Sequence, residues 1–172
     1  MAQRDVDHFE RIVLPHLDDA YTLARYLLRN EHDAQDAVQD AVLRALRHFD
    51  GYRNGDARAW LLAIVRNCCF TRRARTRAEP GAESFDDESF VASSRATDAL
   101  AIERSERSRL ERVLAELPTE FREVIVLREV QDLSYREIAA VVGVPIGTVM
   151  SRLARARRRL ADALGIDTRE AS

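Results

Sequence analysis

Apolar residues recur at every third or fourth position over most of this chain, and nowhere do they alternate in twos. The clearest run is Ala34, Ala37, Val38, Ala41, Val42, Ala45, Leu46 and Phe49, a nearly unbroken stripe along one helical face. Six glycines and four prolines in 172 residues leave few places for the chain to turn. The pattern predicts an all-α fold with no strands.

The breaks that do occur divide the chain. Val6, Phe9 and Val13 open a first stripe, which Pro15 interrupts. A second helix is expected over 18–30, with Ala20, Leu23, Ala24, Leu27 and Leu28 at helical spacing, and a third over 33–48. Asp50, Gly51, Tyr52, Arg53, Asn54, Gly55 and Asp56 form a loop whose last residue suits an N-cap. The following helix places Ala57, Trp60, Leu61, Ile64, Val65 and Cys68 on one face and ends in Arg72, Arg73, Arg75 and Arg77. Residues 78–103 mix Glu79, Pro80, Gly81, Glu83, Asp86, Asp87 and Glu88 with small polar residues, the composition of a flexible acidic linker. Phe85 and Phe90 are unusual for a pure spacer. Helical spacing resumes near 104 with Leu110, Val113, Leu114 and Leu117 up to Pro118, then Phe121, Val124, Ile125 and Leu127. The expectation is two small helical domains, 1–77 and 104–172, joined by the linker 78–103.

The most specific local feature lies at 134–160. Ser134 and Glu137 have capping-box spacing, and Ile138, Ala139, Val141 and Val142 follow. Gly143, Val144 and Pro145 make a tight turn, and a last helix over 146–164 is buried through Val149, Leu153, Ala156 and Leu160. A capped short helix, a glycine turn and a longer helix form the layout of a helix-turn-helix. The second helix of such a motif enters the DNA major groove. Its outward residues here are Thr148, Met150, Ser151, Arg152 and Arg155, followed by Arg157, Arg158 and Arg159. Arginine can read guanine edges, and the later arginines suit phosphates.

Other features are less specific. Asp36, Gln39, Asp40 and Leu43 share the other face of the third helix; taken alone, that face reads as solvated surface. Asn67 and the arginines beyond it suit unstacked bases, while Trp60 reads as core. Every one of the 27 basic residues is arginine, and the net charge of -2 does not by itself favour DNA. Cys68 and Cys69 are adjacent, cannot staple a fold, and have no histidine at ligand spacing, so they read as structural and no metal or cofactor is expected. The start of the chain has no signal-peptide pattern and no run is long enough to span a bilayer, so a cytoplasmic protein is expected. No phosphate loop or nucleophile–base pair is evident, and a non-enzyme is expected.

Several runs resemble one family. Asp33-Ala-Gln-Asp-Ala-Val-Gln-Asp-Ala-Val-Leu-Arg-Ala-Leu46 is similar to region 2.2 of bacterial sigma factors. Arg58-Ala-Trp-Leu-Leu-Ala-Ile-Val-Arg-Asn67 is similar to regions 2.3 to 2.4. Leu117-Pro-Thr-Glu-Phe-Arg-Glu-Val-Ile-Val-Leu-Arg128, Leu133-Ser-Tyr-Arg-Glu-Ile-Ala139 and Gly147-Thr-Val-Met-Ser-Arg-Leu-Ala-Arg-Ala-Arg157 are similar to region 4. Together they resemble the extracytoplasmic-function (ECF, group IV) class of the sigma-70 family, over 8–77 and 104–164. The resemblance implies that the protein binds core RNA polymerase, with Asp36, Gln39, Asp40 and Leu43 on the β′ coiled coil and region 4 at the β flap. It also implies −10 promoter contacts by Tyr52, Arg53, Asn67, Arg72 and Arg73, and −35 contacts by Thr148, Met150, Ser151, Arg152, Arg155 and Arg158. The linker would run through polymerase channels, an anti-sigma factor would silence the protein, and the free factor would be a monomer. Two other functions remain open from the residues: a dimeric operator-binding regulator, and a sigma mimic that titrates an anti-sigma factor without touching DNA.

Overall fold

The computed structural model describes residues 3–81 and 98–166, and every regular element among them is helical. Helix α1 (Gln3–Val13) leads through a 3-10 turn at Leu14–His16, where Pro15 lies, into α2 (Leu17–Leu28). Arg29, in the left-handed conformation at φ 58°, ends α2. The Asn30 side chain then accepts from the Asp33 amide at 2.9 Å and starts α3 (Glu31–Arg47). Ala34, Ala37, Ala41 and Ala45 are all buried, a seam of small side chains along which α3 packs on α2 and α4. Val38, Val42 and Leu46 flank that seam half-buried.

Asp56 caps α4 (Ala57–Ala78) by accepting from the Ala59 amide at 3.0 Å, as its position predicts. The buried surface of α4 is wider than the sequence stripe: Leu62 and Cys69 are buried along with Leu61, Val65 and Cys68, while Trp60 and Ile64 are half-buried. The reason is that α4 is packed from two directions, by α2 and α3 and also by a helix of the C-terminal half.

That half begins with α5 (Asp98–Glu116), six residues earlier than the periodicity suggests. Its first turns are exposed, and Leu110 is 41 % exposed rather than part of a buried stripe; the core begins at Leu114 and Leu117. Arg122, on α6 (Thr119–Ile125) and only 5 % exposed, donates to the carbonyls of Leu114 at 2.9 Å and Leu117 at 2.8 Å. A buried guanidinium thus supplies donors that the C-terminal carbonyls of α5 lack within their own helix. The chain continues in a wide π-helical turn at Val126–Val130, where the Gln131 amide reaches the Val126 carbonyl at 3.1 Å. Asp132, left-handed at φ 54°, stops it. Helix α7 (Tyr135–Val142) carries the predicted capping box, Gly143 turns the chain at φ 74°, and α8 (Ile146–Leu164) spans the predicted range. Leu160 is half-buried there, whereas Val149, Leu153 and Ala156 are core.

Residues 82–97, and with them Phe85 and Phe90, lie outside the described residues. Among the described residues, no single helix is long and apolar enough to cross a membrane. One apolar cluster runs through both halves, from Phe9 and Val13 to Leu153 and Ala156.

Both thiols are buried in that cluster. Burial, reinforced by the neighbouring Cys68, pushes the Cys69 thiol up to about 12, and burial raises Cys68 as well. Because the thiolate is the nucleophile, neither cysteine should react with a thiol reagent at pH 8 until the chain unfolds. Absorbance titration with and without denaturant measures this; rapid labelling of the native protein contradicts the packing described.

Candidate nucleic-acid and protein interfaces

On α8 the outward residues differ in what holds them. Met150, Ser151, Arg155 and Arg158 are exposed and Thr148 is half-buried, with the Ser151 hydroxyl donating to the Thr148 carbonyl at 3.0 Å. Arg152 points inward instead: its side chain is 23 % exposed, with guanidinium nitrogens 4.0 Å from Glu120 and 3.9 Å from Glu123. Two of the arginines read as phosphate contacts are also engaged within the fold. Arg157 pairs with Glu129 at 2.7 Å, which raises its pKa further, and Arg159 lies over the Phe121 ring at 4.9 Å. Arg157 and Arg159 are exposed even so engaged; Arg155 and Arg158 are exposed and hold no partner among the described residues.

On α3, Gln39, Asp40 and Leu43 stand in solvent, Leu43 with 45 % of its surface exposed. Asp36 is half-buried, and Arg72 donates to its carboxylate at 2.6 Å. His32 lies 3.6 Å from the same carboxylate. The sequence reading assigned Asp36 and Arg72 to separate surfaces, one for a protein and one for DNA; the structure joins them as an ion pair. A helix face drawn from spacing cannot register a partner 36 residues away on a neighbouring helix.

The loop 50–56 rests on a pile of rings. Tyr52 stacks on Phe49 with centroids 5.8 Å apart and planes 10° apart, and its ring lies 5.0 Å from Trp60. Phe9 meets Phe49 edge-on at 5.2 Å, and the Tyr52 hydroxyl donates to the Gly55 carbonyl at 2.5 Å. These contacts tie the loop down at Tyr52 while Arg53 stays exposed. Asn67, about two turns beyond Trp60 on α4, is exposed too. Arg73 donates to the Thr119 hydroxyl of the C-terminal half, and burial lowers its pKa.

The two halves also meet through polar contacts that spacing did not reveal. Arg66 of α4 grips Glu123 of α6 with two hydrogen bonds, at 2.6 and 3.1 Å. Arg58 bridges the Asp19 carboxylate of its own half and the Gln131 backbone carbonyl of the other, each at 2.6 Å, and the Gln131 side-chain Nε2 donates to the Asp19 backbone carbonyl at 2.6 Å. The Arg122 guanidinium reaches the Tyr26 carbonyl at 3.4 Å. Glu123 is 1 % exposed; burial pushes its carboxyl above the usual range, and Arg66 and Arg152 pull it back in part. The readable signal was a lone acid inside the apolar run from Phe121 to Leu127.

With both halves in place, the comparisons assign them. A model described as "Sigma-70 region 2" matches residues 12–79, and one described as "Sigma-70, region 4" matches residues 107–160. The chain belongs to the sigma-70 family. It is similar to the ECF RNA polymerase sigma factor SigE of Mycolicibacterium smegmatis, at 34 % identity over 94 % of this chain and 63 % of that protein. It is also similar to SigM of Mycobacterium tuberculosis, a sigma factor of the same ECF type, at 39 % identity over 91 % and 77 % of the two chains. Among solved structures it resembles the sigma factor RpoE in complex with the anti-sigma factor NepR from Bartonella quintana. The TM-score there is 0.77 at 27 % identity, covering 93 % of this chain and 98 % of that one. The sigma factor is therefore an all-α protein of ECF type with regions 2 and 4 in sequence order.

The turn of the region 4 helix-turn-helix yields a direct check. A Cβ added at Gly143 meets nothing within 4 Å, so the φ of 74° alone penalises a side chain there. Gly143→Ala should cost about 1–2 kcal/mol. A thermal melt should register a drop of a few degrees; an unchanged melt contradicts the left-handed turn.

Proposed function

We propose that this sigma factor binds core RNA polymerase and directs initiation at promoters carrying a −10 and a −35 element. One observation carries the reading: regions 2 and 4 occur together, in order, on one chain. Region 2 (1–77) would dock on polymerase through Gln39, Asp40 and Leu43, with Asp36 contributing once Arg72 shares or releases it. The same region would engage the −10 element with Tyr52, Arg53 and Asn67, and with Arg72 and Arg73 when their internal partners yield. Region 4 (104–172, with α5 reaching back to Asp98) would read the −35 duplex with Thr148, Met150, Ser151, Arg152, Arg155 and Arg158. Polymerase supplies the chemistry, and the protein acts where polymerase is.

The charge supports this division. A chain with net charge -2 has little non-specific hold on DNA, whose affinity rests on released counterions. Tethering both regions to polymerase raises the effective concentration of each at the promoter. By analogy with the RpoE structure, an anti-sigma factor is the proposed negative regulator.

The test adds purified protein to sigma-free core polymerase on genomic DNA and maps transcript 5′ ends. Starts sharing two upstream elements at fixed spacing are expected; none, with a control sigma factor active, overturns the reading. Two variants separate the surfaces. Arg155→Ala should weaken promoter binding by about 1–3 kcal/mol if it contacts a base edge, with polymerase binding kept. Asp40→Arg should weaken polymerase binding and leave region 4 intact. Asp40 is the better choice than Asp36, because reversing Asp36 would also confront Arg72. Equal effects of both variants on both activities contradict the division.

A further inference from the structure

The outward surface of α8 is not uniformly polar. Met150 is 52 % exposed, more than Ile146 at 41 %. Ala154, one turn further on the same side, is exposed as well. The helix sends Val149, Leu153 and Ala156 into the core, which leaves Met150 and Ala154 outside it. Around this apolar pair stand Ser151, Arg155 and Arg158, all exposed. The Ser151 hydroxyl spends its proton on the Thr148 carbonyl, and Arg152 leans toward Glu120 and Glu123. Of the outward side chains before Arg155, Met150 therefore reaches furthest from the fold.

An apolar group flanked by arginines narrows its ligand. The arginines call for an anionic surface, and Met150 calls for an apolar spot within it. The major groove of duplex DNA offers such a spot, the C5-methyl group of thymine. A methionine side chain is unbranched and adaptable, so it can follow the groove floor without demanding one shape. We propose that Met150, walled by Ala154, reads a thymine methyl group in the −35 element, and that this sigma factor selects thymine at that base pair. The inference rests on the reading of α8 as the helix that meets the duplex. Met150 and Arg155 are five residues apart, about 7.5 Å along the helix axis. With bases about 3.4 Å apart along a strand, the thymine should lie within about three base pairs of the base that Arg155 reads.

In the test, the full chain assembled with core polymerase selects promoters from a duplex library randomised over the −35 region. Each thymine of the selected element is then replaced singly by deoxyuridine, which removes the methyl group and keeps every hydrogen-bonding atom of the base. At one thymine this should weaken promoter binding about three- to fivefold, the size expected for one methyl group left unburied. In Met150→Ala the same replacement should have little effect, because the contact is already gone. Met150→Gln, of similar length but polar, should lose the preference for thymine in the same way. Circular dichroism verifies that both variants keep their helices. A selected element without thymine, or one indifferent to deoxyuridine at every thymine, overturns the proposal. If Arg155→Ala still weakens promoter binding in that case, α8 remains the helix that meets the duplex; if it does not, that reading falls as well. Undiminished sensitivity to deoxyuridine in Met150→Ala gives the methyl contact to another residue and overturns the role of Met150. Loss of core polymerase binding in Met150→Ala, with base preference unchanged, places Met150 on a protein-binding surface and overturns it too.

Discussion

A carboxylate that cannot reach water must be neutralised where it stands, and Glu123, at 1 % exposure, is the most demanding group in this fold. Removing one partner of such a pair typically costs about 3–5 kcal/mol, because the other charge stays buried alone. Arg66 comes from region 2 and Arg152 from region 4, so neutralising Glu123 ties the relation of the two halves to the orientation of the last helix. The packing of α4 follows the same logic: its second buried face exists because region 4 lies against it.

Within region 2 the organising element is the alanine seam of α3. Small side chains let α3 approach α2 and α4 closely, and that approach brings Arg72 within reach of Asp36. Close packing therefore has an electrostatic consequence. The exposed part of this face narrows to Gln39, Asp40 and the apolar Leu43 beside them. In region 4 the equivalent economy leaves Arg155 and Arg158 outward while Arg152, Arg157 and Arg159 are each held by groups of the fold.

The legible parts were those set by neighbours three or four residues away. Asp56 and Ser134 cap the helices their positions predict, Gly143 takes the left-handed turn, and α8 runs over the expected residues. The boundary near 104 was less legible. The first turns of α5 pack against little, so no apolar stripe marks them, and the helix begins in a stretch whose composition reads as linker. The wide turn after α6 was hidden for a different reason: Phe121, Val124, Ile125 and Leu127 are buried whether the backbone there is α- or π-helical.

The sequence by itself determined the helices, their caps, the helix-turn-helix and the membership of the chain in its family, because each is written in residues close along the chain. Only the tertiary structure decided which charges are spent inside the molecule. Asp36 meets Arg72, Arg66 meets Glu123, and Arg58 meets Gln131 across separations of 36, 57 and 73 residues. Whether an arginine faces solvent or a buried carboxylate depends on which helices pack beside it. No periodicity in the chain encodes that choice.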